Sequence, residues 1–78
     1  MTTGRIEEAL ALGPIYQDAT YKYFGEADPG TPLNEAKWRV SRINLTTNQV
    51  EWANVDGVKA KFNNLFTDLA TAAALTYS

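Results

Sequence analysis

The chain has 78 residues with neither cysteine nor histidine, which excludes disulfide staples and the usual zinc, thiolate and imidazole chemistry. A net charge of −2 and a pI near 4.9, with the basic residues scattered along the length, exclude the concentrated basic surface that a nucleic-acid binder needs. A domain this small buries only about 60% of its unfolded surface, so dense packing or association with other chains must supply the missing stability, and an aromatic content of 12% serves both. No apolar run approaches the roughly 18 residues of a membrane span, and the start lacks the basic-then-apolar order of a secretory signal. These features predict a protein made and kept in a cytoplasm, with no membrane partner.

In chain order, Ile6, Ala9 and Leu10 fall at helical spacing, with Thr3 as a cap, Glu7 and Glu8 in the early turns and Gly13-Pro14 as a stop. Residues 1–19 therefore read as a short helix or as an arm that settles on a neighbouring subunit. Glu7 and Glu8 are adjacent, so they point to different parts of a helix surface and form no catalytic pair. Ile15 to Ala27 is rich in aromatic residues and predicts a strand, with Gly25 as a bulge or a close backbone approach. Tyr21 and Tyr23 share one face of it, Lys22 and Phe24 the other. Asp28 to Pro32 is a loop in which Pro29-Gly30 suits a type II turn.

Ala36 to Asn54 predicts the central β-hairpin, with Thr46 to Gln49 as its turn, Leu45 opposite Val50 and Ile43 opposite Trp52. An extra residue near Ser41-Arg42, a β-bulge, would then bring Trp38 and Val40 onto the same face as Ile43 and Trp52. Arg39, Asn44, Glu51 and Ala53 would form a polar opposite face, with Arg42 near the bulge and able to meet Glu51 diagonally. Asn54 to Gly57 has the start of a calcium loop but not its remaining acidic ligands, and reads as a turn and cap. From Val58 the residues Phe62, Leu65, Phe66, Leu69, Ala70 and Ala73 recur at intervals of three and four, which predicts an amphipathic helix over about 56–70. Leu75 and Tyr77 alternate in a short last strand.

The resulting fold is α+β. A small antiparallel sheet built on the hairpin is covered by one C-terminal helix and closed by a short last strand, with residues 20–78 as a single domain. The expected core is Trp38, Val40, Ile43, Leu45, Val50, Trp52, Phe62, Leu65, Phe66, Leu69, Leu75 and Tyr77. The expected interface is Ile6, Leu10, Leu12, Ile15, Tyr16, Tyr21, Tyr23, Arg39 and Arg42. Ser41, Ser78 and the threonines have no histidine to act as base, so no catalytic, cofactor or metal site is expected. Tyrosine combines apolar area with a polar tip, so Tyr16, Tyr21 and Tyr23 with a tryptophan form an alternative platform for a glycan or another small ligand.

Tyr21-Lys22-Tyr23-Phe24-Gly25-Glu26-Ala27, Pro29-Gly30, Ala36-Lys37-Trp38-Arg39-Val40-Ser41-Arg42-Ile43, Glu51-Trp52-Ala53, Phe62-Asn63-Asn64-Leu65-Phe66 and Leu75-Thr76-Tyr77 resemble a family of small proteins encoded by tailed bacteriophages. The similarity spans roughly residues 20–78, with Phe66 and Leu69 standing where much of that family carries Trp and Arg. It implies a non-enzymatic virion component of the tail or head region, without a cofactor. Such a protein would be made in the host cytoplasm and assembled in many copies against itself and other virion proteins.

Overall fold

The computed structural model describes residues 10–78. Among these residues seven strands and one helix are formed: β1 (Ala11–Leu12), β2 (Tyr16–Gln17), β3 (Tyr21–Ala27), β4 (Arg39–Asn44), β5 (Val50–Trp52), β6 (Asn54–Val55), β7 (Val58–Lys59) and α1 (Leu69–Ala74). The architecture is mostly antiparallel sheet with one short C-terminal helix, a small α+β fold. β3 and β4 form its centre, β5 flanks β4, and β1 and β2 lie along the far edge of β3, while β6 and β7 make a separate two-stranded ribbon. The helix expected within residues 1–9, and Ile6, lie outside the described residues. Residues 11 and 12 are in a strand rather than a helix, and the boundary expected after residue 19 does not follow the sheet, because β1 and β2 belong to it.

The strand expected over 15–27 is divided by a turn. Asp18 accepts from the backbone N–H groups of Thr20 and Tyr21 at 2.8 and 2.7 Å, the local competition that makes Asp a turn former. The one bulge visible in the registers lies on this edge. Leu12 faces Glu26 and Tyr16 faces Tyr23, so four steps along the edge answer three along β3, and Pro14-Ile15 absorbs the extra residue. A proline there suits an edge, where no ladder donor is needed. The loop after β3 closes with Thr31 N–H donating to Asp28 O at 3.1 Å, and Gly30 at φ 87° supplies the positive angle a type II turn requires.

The hairpin forms, but its register differs from the one expected. Ile43 faces Val50, Arg42 faces Glu51 and Ser41 faces Trp52, and β3 pairs β4 without interruption from Tyr21↔Asn44 to Glu26↔Arg39. No bulge occurs at Ser41-Arg42. The turn is longer because the Asn44 side chain accepts from Thr46 and Thr47 N–H, which ends the ladder before Leu45. With unbroken alternation, Trp38, Val40, Arg42 and Ala53 face one way, and Arg39, Ser41, Ile43, Val50 and Trp52 the other. The two tryptophans are on opposite faces, and Glu51 and Ala53 are on the covered face rather than the open polar one.

The helix over 56–70 is not formed. Asp56 and Gly57 have φ of 55° and 80°, and Val55 faces Val58 across them, the two-residue turn for which Asp-Gly is the strongest signal. Ala60 is also left-handed, at φ 58°. Helical φ lies near −63°, so the three-and-four spacing from Val58 to Phe66 has no helix to ride on. Residues 61–66 form no regular element and instead pass beside the start of β4, where Trp38 and Asn64 exchange both backbone hydrogen bonds at 3.0 Å. Helix α1 starts only where Asp68 caps it by accepting from Thr71 N–H at 2.8 Å. The last strand is reduced to the Ala53↔Tyr77 bridge.

The core is on one side of the sheet. Tyr23, Ala27, Trp38, Val40, Ala53, Phe66 and Ala72 are buried, with Tyr16, Tyr21, Leu33, Leu69, Leu75 and Tyr77 packed around them. Glycine makes this possible. A Cβ on Gly25 would lie 2.5 Å from the Phe66 ring, and one on Gly13 would lie 2.9 Å from Trp38, so two edges of backbone admit two large rings. Of the expected core, Leu45, Val50, Phe62 and Leu65 are exposed. Ile43 and Trp52 are half-buried on the other face.

Candidate interaction surface

On the covered face the polar groups are committed to one another. Arg42 donates from Nε to Glu51 Oε1 at 2.8 Å, and its guanidinium lies 3.9 Å from the centre of the Tyr21 ring and 4.3 Å from that of Tyr77. Cross-strand pairing places the charges opposite, and the two rings shield them from water, a stacked arrangement that suits the planar guanidinium. Tyr23 donates to Asp18 at 3.1 Å, Tyr16 to Phe66 O at 3.1 Å and Tyr77 to Ala72 O at 2.7 Å. Burial raises the Tyr77 and Tyr23 hydroxyls above the ordinary phenol range, and for Tyr23 the hydrogen bond to Asp18 adds to the rise. Backbone donation from Tyr21, then Thr20, holds Asp18 below the usual carboxylate range.

The expected interface residues therefore divide. Tyr16, Tyr23 and Arg42 are turned inward, and Tyr21 is half-buried against Arg42. Leu12 and Ile15 are 70% and 55% exposed on the sheet edge. Arg39 is on the outer face, where Nε and Nη2 donate to Glu26 Oε1 at 3.0 and 2.7 Å and the guanidinium lies about 5 Å from both the Trp52 and Phe62 rings, at 5.1 and 4.8 Å. Leu10 lines a cleft of about 380 Å³ with Asp28, Thr31, Lys37 and Phe62.

Strand pairing assembles an apolar field on that outer face. One row runs through Leu12, Glu26 and Arg39 to Phe62, the next through Phe24 and Ser41 to Trp52, with exposed Ile15 on the sheet edge, and the third through Gln17, Lys22 and Ile43 to Val50. None of Phe24, Ile43, Val50 and Trp52 belongs to the core or packs on it, and Val50 and Phe62 are 54% and 43% exposed. Phe24, Val50, Trp52 and Phe62 are surface residues that the sequence did not mark. The signal was the alternation in β3, which puts Phe24 opposite in direction to Tyr23. Among the described residues no group of three acidic side chains is placed to hold a metal ion, and no helix is long and apolar enough to cross a membrane. No protein-family model, curated protein or solved structure matches the chain.

Proposed function

We propose that this chain is a non-enzymatic structural or adaptor protein of a tailed-bacteriophage virion, in its tail or head region, acting through protein contacts in many copies. The observation that carries the reading is the outer sheet face. Leu12, Ile15, Val50 and Phe62 are exposed, and Phe24, Ile43 and Trp52 are half-buried between them, while the core of the described residues lies on the other side; a contiguous exposed apolar patch marks a partner site. The virion assignment rests on the resemblance in Tyr21–Ala27, Ala36–Ile43, Glu51–Ala53 and Leu75–Tyr77. The glycan-platform alternative loses support from the inward turn of Tyr16 and Tyr23 and from the stacking of Tyr21 on Arg42. Quantitative mass spectrometry of purified particles of the encoding phage tests the reading. Multiple copies per particle are expected; a protein made during infection but missing from finished particles sinks it.

A further inference from the structure

We propose that the outer face docks a second copy of this chain, the two sheets stacking about a two-fold axis that crosses the strands at Phe24, Ser41 and Trp52. The inference deepens the reading above by naming the partner and the face, and rests on it only in taking contact as the protein's mode of action. A sheet apolar on both faces needs a layer on each, and here the described chain supplies a core on one side alone. A second sheet would complete the sandwich.

Size and charge both suit a copy. The face is four strands wide, from the β1–β2 edge to β5, and four side-chain rows long once Leu10, Asp28 and Lys37 are added. A two-fold axis on the Phe24 row superposes the three rows through Lys22, Phe24 and Glu26, about 14 by 13 Å of backbone at strand spacing and rise, the size of a weak, concentration-dependent contact rather than of a standard interface. Lys22 and Glu26 lie on this face two positions either side of Phe24. An axis through Phe24 therefore sets Lys22 over Glu26 of the partner subunit, and the reverse, giving two ion pairs that bracket the aromatic row. Both groups have capacity for it among the described residues: Lys22 makes no salt bridge and lies over the Phe24 ring at 5.9 Å, while Glu26 meets Arg39 through Oε1 alone. Complementary charge of this kind fixes register as well as partner.

Sedimentation of the full chain from about 1 µM to 1 mM, well across the range of weak protein contacts, tests the proposal. The mass should rise from one chain to two. Lys22→Glu and Glu26→Lys should each weaken the dimer at least tenfold, and an equimolar mixture of the two variants should restore it, because each mixed pair then sets opposite charges together twice. Val50→Asp, at a position more than half exposed, should abolish the dimer with the circular dichroism of the folded chain retained. A wild-type monomer throughout overturns the proposal, as does a dimer indifferent to these three substitutions. Absence from virions would remove the reading of function without touching the dimer, and a virion protein that stays monomeric would do the opposite.

Discussion

At the scale of single residues, the two tryptophans carry different burdens. Trp38 is 4% exposed, donates from Nε1 to Pro32 O at 3.0 Å and packs on Phe66 with ring centres 5.9 Å apart. Trp38→Ala should cost about 3–5 kcal/mol and unfold much of the population in a denaturant titration. Trp52→Ala, on the outer face, should cost the isolated chain about 1 kcal/mol, comparable to its stack with Arg39. Gly25→Ala is the sharper test of packing, since the new methyl would meet the buried Phe66 ring. Overpacking of that sort costs about 1–3 kcal/mol, and chemical denaturation would show it as a lower midpoint at unchanged slope. Asp18 sets a pH dependence. Its folded pKa is depressed by backbone donors, so its contribution is complete above the unfolded carboxylate pKa and is lost as pH falls through the lower folded value. Thermal midpoints should therefore drop on acidification through that window, and Asp18→Asn, which keeps an acceptor but no charge, should flatten the drop.

Among the elements, those whose local chemistry and tertiary role agree were legible in the sequence. The β3 strand, the central hairpin, the Pro29-Gly30 turn and the close approach at Gly25 follow from residue type at short range, and each has its structural counterpart. Trp38, Val40 and Phe66, all expected in the core, are buried. The hairpin register differs from the expected one because the Asn44 side chain, which accepts from two backbone donors and lengthens the turn, prevails over the apolar match of Leu45 with Val50. The long helix is absent for a related reason. Asp56-Gly57 between two valines and the poor helix formers Asn63 and Asn64 prevail over the three-and-four spacing of Val58, Phe62, Leu65 and Phe66. For the interaction surface, apolarity alone marks Leu12 and Ile15, whereas Trp52 is expected on the core face only because of the bulge at Ser41-Arg42, and uninterrupted pairing there turns it outward, to the face of Phe24. At the β6–β7 turn, Gly57→Val should strain a position at φ 80° by roughly 1–2 kcal/mol, and hydrogen exchange at Val55 and Val58 should accelerate well before the central strands respond.

At the scale of the molecule, the described residues form a sheet with its core on one side, and the stability of the chain should reveal that. Seven buried apolar residues make the core of the described chain, and three aromatic rings, Tyr23, Trp38 and Phe66, supply most of its volume. A core of this size seldom yields more than roughly 3–5 kcal/mol without staples, and no cysteine is present to add them. Whatever covers the outer face must then add free energy that depends on its concentration, since a partner that binds only the folded chain stabilises it by mass action. If that partner is a second copy, the thermal midpoint of the pure protein should climb by ~3–5 °C for each tenfold rise in concentration above the dimer constant, as the stabilisation per chain and the scaling for a domain of this size require. Val50→Asp should hold the midpoint constant over the same range. A wild-type midpoint that does not move between micromolar and millimolar protein would mean that the isolated core is sufficient, and that the apolar face contributes nothing to its own stability.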